Sequence, residues 1–241
     1  MNQQHFLFPT DGSVPPDRFL LERRRSEWQH IAIYQHPVYG NQLWIDDDLQ
    51  ISESDFAYNS AMVAPLLTLE HCQQVAILGG GDGGVLNYLL ATWDQLQRPL
   101  ARATLIDIDG AVIDLCRKWM PVQWGDAFDD PRAAVVVGDA FAWIEQARDL
   151  DAVIYDLTMD PVRDDLSQRQ FIDQLFAHVR AALRPGGVFS LQACGEWDPD
   201  SSALLATLRE RLGAMFGEVR EQTVMVPSYG ELWTFISVQA D

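Results

Sequence analysis

The sequence is poor in the residues that build disulfides and metal sites. Its three cysteines, Cys72, Cys116 and Cys194, include no CxxC pair, and no two of its five histidines stand in HxxxH spacing. A disulfide framework and a metal site are therefore not expected. The sequence instead predicts a protein of the reducing cytoplasm. Residues 1–11 do not contain the basic segment and apolar run of a signal peptide, so none is expected. The apolar stretches of the sequence are too short to form a membrane helix.

Basic residues are also scarce. The 17 lysines and arginines stand against 35 acidic residues, so the formal net charge is 17 − 35 = −18. Such a surface repels phosphate backbones and anionic lipids, which argues against a nucleic-acid or membrane partner. It attracts cations, although high charge also serves solubility alone. With 48% hydrophobic and 22% charged residues in 241 positions, the chain is a globular protein of one large domain, with or without a small appendage.

The order of periodic segments predicts an α/β fold. Alternating residues at 29–50 predict a β-hairpin or a small antiparallel sheet, and residues 53–69 follow helical spacing with Ser52 or Ser54 as the cap. Helices then alternate with five buried strands, at residues 74–78, 103–106, 133–137, 152–155 and 188–191. A turn at residues 184–187 precedes the last strand. This pattern predicts a Rossmann-like, doubly wound, mostly parallel sheet over residues 53–241, after a small β-rich domain at residues 1–52.

A glycine-rich loop follows the first of these strands. Gly79, Gly81 and Gly84 fit the pattern GxGxxG, which lets a ligand approach the backbone at the carboxyl edge of a sheet. Asp107 ends the next strand, 107 − 84 = 23 residues later, where a carboxylate can accept hydrogen bonds from both hydroxyls of a ribose. The loop and Asp107 together predict a nucleoside site.

Asp82 lies inside this loop, and its charge restricts the ligand. A carboxylate there would repel a pyrophosphate or the carboxylate of S-adenosylmethionine, so a nucleoside with a cationic tail fits best; capping of the next helix is the simpler alternative. Two more aspartates, Asp139 and Asp156, follow the ends of strands. Asp139 could accept a hydrogen bond from the amino group of adenine. Because parallel strands end at one edge, Asp82, Asp107, Asp139 and Asp156 are expected to surround one cleft that binds cations.

Four segments carry a resemblance to a known family: residues 53–58 (Glu-Ser-Asp-Phe-Ala-Tyr), 78–84, 155–158 (Tyr-Asp-Leu-Thr) and 226–233 (Val-Pro-Ser-Tyr-Gly-Glu-Leu-Trp). Over residues 34–238 the chain resembles the polyamine aminopropyltransferases, and the spermine synthases among them most closely. The resemblance implies transfer of an aminopropyl group from decarboxylated S-adenosylmethionine, a co-substrate, with release of methylthioadenosine and no tightly bound cofactor. The implied acceptor is spermidine, giving spermine or thermospermine, with putrescine as the alternative.

The resemblance also implies roles for single residues. The implied nucleoside-binding residues are Gln35, Asp107, Asp139 and Ala140. The implied residues for the aminopropyl nitrogen or the amine substrate are Tyr58, Asp82, Asp156, Tyr229 and Glu231. Asp156 is implied to be the general base, because an amine protonated at neutral pH must lose a proton before it attacks, and Tyr58 can orient that amine. Tyr229 and Glu231, two residues apart beside a strand predicted at residues 232–238, are expected to face one pocket.

The chain departs from the family pattern at several positions. Asp107 replaces the usual glutamate, Asn59-Ser60 follows the active-site tyrosine in place of a His-Glu or Gln-Glu pair, and Asp160 lies four rather than three residues after Asp156, so its role is not assigned. No counterpart of the extra N-terminal domain of animal spermine synthases is expected from this sequence, and a homodimer through the small β domain is left open.

Two other function classes are compatible with the predicted fold. An N-methyltransferase has little reason for carboxylates at both Asp82 and Glu231. An inactive binding module is expected to have lost Asp156 or Tyr58, and this chain keeps both.

Overall fold

A computed structural model describes residues 17–159 and 166–241, and it begins with a small antiparallel sheet. The four strands of this sheet, in spatial order, are β1 (Phe19–Arg25), β2 (His30–His36), β3 (Gly40–Ile45) and β4 (Asp48–Ser52). The antiparallel pairing of β2 with β3 confirms the predicted hairpin. The sequence analysis did not predict β1, whose residues show no alternation of apolar and polar side chains.

A second sheet of seven strands forms the centre of the molecule, in the spatial order β10-β11-β9-β8-β5-β6-β7. Its strands are β5 (Gln74–Gly79), β6 (Arg102–Asp107), β7 (Ala133–Val137), β8 (Leu150–Asp156), β9 (Leu183–Gly195), β10 (Val219–Val226) and β11 (Glu231–Gln239). Strands β5 to β9 are parallel, and the hairpin β10-β11 adds two antiparallel strands at one edge. The predicted mostly parallel, Rossmann-like sheet is confirmed.

Helices cover both faces of this sheet, as a doubly wound fold requires. The helices are α1 (Phe56–Val63), α2 (Gly84–Gln95), α3 (Gly110–Trp119), α4 (Pro121–Trp124), α5 (Ala140–Gln146), α6 (Gln168–Ala182) and α7 (Ser201–Phe216). Buried side chains of α1, α2 and α3 share one core with the N-terminal sheet. Those of α5, α6 and α7 form a second core on the opposite face. No helix in the two described stretches is long and apolar enough to cross a membrane.

The structure corrects the predicted helix at residues 53–69. It begins at Phe56 and ends at Val63, and a 3-10 turn at Ala64–Thr68 follows. Pro65 explains this end, because proline has no backbone N–H to donate to the carbonyl four residues earlier in the helix. The predicted serine caps are wrong: Asp55 occupies the N-cap position, and its side chain makes no capping bond.

The region after residue 158 was only partly predicted. The residues predicted as a turn, 184–187, lie inside β9, whose pairing with β8 is shifted there and whose Gly186 has φ +78°. Helices α6 and α7 and strand β10 were not predicted, although Ser167 and Gln170 form a capping box at the start of α6 that the sequence displays. The predicted domain boundary at residues 52 and 53 stays a prediction, and residues 1–16 lie outside the described part of the chain.

Candidate active site

The glycine loop connects β5 to α2 at the carboxyl edge of the parallel strands. Gly79 has φ +86°, and a Cβ on it would lie 2.3 Å from the carbonyl oxygen of Asp156. A Cβ on Gly81 would lie 2.6 Å from Oδ2 of Asp107. These positions therefore need glycine because the ends of the neighbouring strands β8 and β6 approach the loop so closely.

Asp107, at the end of β6, holds this loop in place. Its Oδ2 accepts a hydrogen bond from the Gly81 backbone N–H at 2.9 Å, and its Oδ1 accepts one from the Asp109 N–H at 2.9 Å. Burial raises the pKa of Asp107, and these two hydrogen bonds oppose the shift. Each carboxylate oxygen has more than one acceptor direction, so both can still accept a ribose hydroxyl.

Asp82 is a buried carboxylate with two hydrogen-bond donors on one oxygen. Its Oδ1 accepts from the backbone N–H of Gly84, the first residue of α2, and from Nε2 of Gln123, each at 2.8 Å. Gly83, and not Asp82, occupies the N-cap position of α2, although Asp82 does accept a hydrogen bond from the first N–H of the helix. Gln123 belongs to α4 and was not singled out from the sequence, which has no signal linking two residues 41 positions apart.

Tyr58 and Asp156, the predicted catalytic residues, are in direct contact. The Tyr58 hydroxyl, presented by α1, donates to Oδ1 of Asp156 at the end of β8 with an oxygen–oxygen distance of 2.6 Å. Burial, together with the nearby charge of Asp82 and then Asp107, raises the pKa of Asp156 to about 7, although the bond from Tyr58 opposes this. Burial and the charge of Asp156 also raise the pKa of Tyr58, so its hydroxyl keeps its proton.

Tyr229 and Glu231 do not alternate along one strand. Strand β11 begins at Glu231, so Tyr229 lies in the turn before it, and the reasoning from strand periodicity was wrong. The Tyr229 ring meets the Tyr58 ring edge-on, with centroids 6.3 Å apart, and its hydroxyl donates to the Gln50 carbonyl. The Glu231 carboxylate accepts from the Trp197 backbone N–H at 3.0 Å, so it contacts the segment that follows β9.

The other predicted nucleoside-binding residues lie at the start of α5 and near the end of β2. Asp139 caps α5 by accepting from the N–H groups of Phe141 and Ala142, and its side chain is exposed, whereas Ala140 is buried. Gln35 is exposed near the end of β2.

Of the four predicted carboxylates, Asp82, Asp107 and Asp156 influence one another electrostatically. Asp139 lies two residues after the end of β7, at the N-cap of α5, and Asp160 lies outside the described residues. Within residues 17–159 and 166–241, no group of three or more histidine, cysteine or acidic side chains is arranged to hold a metal ion.

Comparison with known proteins places this site in a family. Residues 55–241 match the family model described as the spermine/spermidine synthase domain. The chain belongs to the spermine/spermidine synthase family. A polyamine aminopropyltransferase of Nitrosomonas europaea is 37% identical over 232 residues, covering 94% of this chain and 68% of the relative. One from Aeropyrum pernix is 32% identical over 239 residues, covering 95% of this chain and 74% of the relative. The family and the enzyme class predicted from the sequence are thereby confirmed.

Solved structures share the fold of this spermine/spermidine synthase family member. The crystal structure of a spermidine synthase from Thermotoga maritima superposes with a TM-score of 0.77 at 24% identity, over 92% of this chain and 73% of that one. A spermidine synthase in complex with the transition-state analogue AdoDATO superposes with a TM-score of 0.78 at 24% identity and the same coverage. Both likenesses support the fold.

Proposed function

We propose that this protein transfers the aminopropyl group of decarboxylated S-adenosylmethionine to spermidine, giving spermine or thermospermine and methylthioadenosine. The observation that carries the proposal is the 2.6 Å hydrogen bond between Tyr58 and Asp156, beside the buried carboxylate of Asp82 and the half-buried carboxylate of Asp107. Carboxylates this close destabilise one another's charge unless cations bind among them. The donor has two cationic groups, a sulfonium and an ammonium, and the acceptor amine brings more.

The donor is proposed to lie along the glycine loop. Asp107 accepts the ribose hydroxyls, and Gln35, Asp139 and Ala140 complete the nucleoside site from its periphery. The Asp82 carboxylate pairs with the aminopropyl ammonium through Oδ2, because both of its hydrogen bonds to the protein end on Oδ1. The carboxylate of intact S-adenosylmethionine would be repelled at this position, which favours the decarboxylated donor.

The reaction needs a proton acceptor next to the attacking nitrogen. Asp156 in its ionised form takes a proton from the acceptor's ammonium group, and the freed lone pair attacks the methylene carbon bonded to the sulfonium. The new C–N bond forms as the C–S bond breaks, its electron pair stays on sulfur, and a neutral thioether leaves. The new secondary amine stays protonated, and Asp156 returns to its ionised form by releasing the proton it took to solvent, so each turnover releases one proton. Alignment of nitrogen, carbon and sulfur supplies much of the rate.

The environment of Asp156 suits this role. A carboxyl group with its usual pKa of 3.8 is a weak base at neutral pH, whereas a pKa of about 7 makes Asp156 a stronger base that is still partly ionised. The Tyr58 hydroxyl fixes Oδ1, and Oδ2 faces the glycine loop, where a Cβ on Gly80 would lie 3.0 Å away. The proton is therefore proposed to go to Oδ2.

The choice of spermidine as acceptor rests on the far end of the site. A triamine has one more ammonium than putrescine, and that group needs an anionic or hydroxyl partner. Tyr229, whose ring contacts that of Tyr58, and Glu231, two residues later, supply both chemical types. The resemblance of residues 155–158 and 226–233 to spermine synthases supports the same choice.

A cytoplasmic location is part of the same proposal, because Cys72, Cys116 and Cys194 are all unpaired and buried. A homodimer through the N-terminal sheet would be compatible with it, and sedimentation of the purified protein gives the oligomeric state.

The test is a substrate panel. Purified protein is incubated with decarboxylated or intact S-adenosylmethionine and with putrescine or spermidine, and products are separated by chromatography; Asp156→Asn is the control for enzyme-dependent turnover. We expect spermine or thermospermine from the decarboxylated donor and spermidine. Preferred formation of spermidine from putrescine would overturn the acceptor assignment alone. Methylated amine from intact S-adenosylmethionine would overturn the aminopropyl chemistry as well.

A further inference from the structure

Asp55 is a fully buried carboxylate outside the reacting groups. It occupies the N-cap position of α1, but its side chain does not cap that helix. Its Oδ1 accepts from the Ser228 backbone N–H at 3.1 Å, and its Oδ2 accepts from the Ser228 hydroxyl at 2.5 Å and from the Ser52 N–H at 2.7 Å. Asp55 thus uses its carboxylate to hold a segment 173 residues away in the chain.

This contact joins the two segments that present the tyrosines of the site. The Tyr58 N–H donates to the Asp55 carbonyl at 3.0 Å, so Asp55 and Tyr58 move as one turn of α1. Ser228 directly precedes Tyr229, whose hydroxyl is itself held by the Gln50 carbonyl. The separation of 6.3 Å between the two tyrosine rings therefore depends on the bonds that Asp55 makes to Ser228.

The chemistry of the contact requires a carboxylate. Three donors converge on two oxygen atoms, and an asparagine would turn its own NH₂ group toward at least one of them. Burial raises the pKa of Asp55, whereas the hydrogen bonds from Ser228 and Ser52 lower it. A buried carboxylate is costly unless it is satisfied in this way, so loss of the Ser228 bonds should displace the turn.

We infer that Asp55 is a positioning residue of the acceptor site, acting through Ser228 to hold Tyr229 against Tyr58. The inference rests on the proposed function, because it takes Tyr229 as part of the acceptor site. Asp55 touches no substrate in this account. Its loss should weaken use of the amine acceptor and leave the nucleoside side, built on the glycine loop, unaffected.

The experiment compares Ser228→Ala, Ser228→Thr and Asp55→Asn with the wild-type enzyme, using the decarboxylated donor and the amine that the wild type prefers. Ser228→Ala is expected to raise the acceptor KM by about tenfold, the size expected for loss of a hydrogen bond to a charged group, with the donor KM unchanged. Ser228→Thr keeps the hydroxyl and should restore the acceptor KM. Asp55→Asn, if it folds, should raise the acceptor KM further than Ser228→Ala.

The matched control is Val179→Ala in α6, a fully buried residue in the core on the opposite face of the sheet. It should lower the melting temperature without raising the acceptor KM. An unchanged acceptor KM in Ser228→Ala, an equal rise in the donor KM, or no rescue by threonine would overturn the inference while the proposed function stands. A wild-type enzyme that transfers no aminopropyl group to any amine would overturn both.

Discussion

Replacing Asp156 by asparagine should stabilise the protein at high pH while it removes activity. The pKa of this carboxyl is raised from 3.8 to about 7, a difference of about 3.2, because ionisation takes place in a buried site beside Asp82 and Asp107. At about 1.36 kcal/mol per pKa unit, ionised Asp156 costs the folded state on the order of 4 kcal/mol relative to a neutral residue. Asparagine keeps the shape and an acceptor for the Tyr58 hydroxyl, and it never ionises.

The sign of the pH dependence follows from which state holds the proton more tightly. The pKa is higher in the folded state, so the stabilising contribution of the protonated carboxyl is complete below about pH 3.8 and is lost as the pH rises toward about 7. Between pH 5 and pH 8, the free energy of unfolding of Asp156→Asn should therefore gain roughly 3 kcal/mol relative to wild type. Urea unfolding at both pH values measures this gain.

The control for this measurement is Asp114→Asn on α3, a carboxylate whose side chain is 73% exposed. Its difference from wild type should hardly change with pH, because exposed charges contribute little to stability. Turnover of Asp156→Asn should fall by roughly 10²–10⁴ with donor binding retained, the usual loss when a general base is removed. Equal effects of Asp156→Asn on stability at pH 5 and pH 8, or more than a tenth of wild-type activity, would refute the reasoning.

Two further predictions concern charge at the two ends of the site. Decarboxylated S-adenosylmethionine should bind at least about tenfold tighter than S-adenosylmethionine, and Asp82→Asn should remove this preference without unfolding the protein, because an asparagine oxygen can still accept from Gly84 and Gln123. Calorimetry measures both affinities, and equal wild-type affinities or a collapsed melting temperature would count against the role of Asp82. Glu231→Gln can keep the bond from the Trp197 N–H, so it removes mainly charge and should raise the acceptor KM at least about tenfold in steady-state kinetics. An unchanged acceptor KM would make Glu231 a structural residue of the segment after β9.

The parts of the site that could be predicted from the sequence are those controlled by local pattern. Strands β5, β6 and β8 are continuous apolar runs that end in glycine or aspartate, and parallel strands bring such ends to one edge. This is why Asp107 and Asp156 were expected beside the glycine loop, and the structure places them there. The family resemblance assigned Tyr58 and Asp156 to one site, but their direct contact was not predicted, since 98 residues separate them.

The parts that could not be predicted depend on contacts without a local signal. Gln123 reaches Asp82 from a four-residue helix, and Asp55, whose carboxylate binds Ser228, was not singled out from the sequence. Strand β10 was not predicted because its residues 220–223 are all exposed and polar, so its pairing with β11, and not a hydrophobic period, makes it a strand. The turn at Tyr229 follows from where that pairing ends.

The same electrostatics predict that bound cations convert Asp156 into a stronger acid. Burial is the larger cause of its raised pKa, and the charges of Asp82 and Asp107 add to it. A cationic amine bound among these carboxylates should lower the pKa of Asp156, whereas methylthioadenosine, a neutral thioether, should not. Carbon-13 NMR of labelled aspartate, assigned with Asp156→Asn, can follow this titration in the free protein, with methylthioadenosine alone and with methylthioadenosine plus spermidine. A pKa that spermidine leaves unchanged would mean that the amine binds away from these carboxylates, and the base would then have to be sought elsewhere in the site.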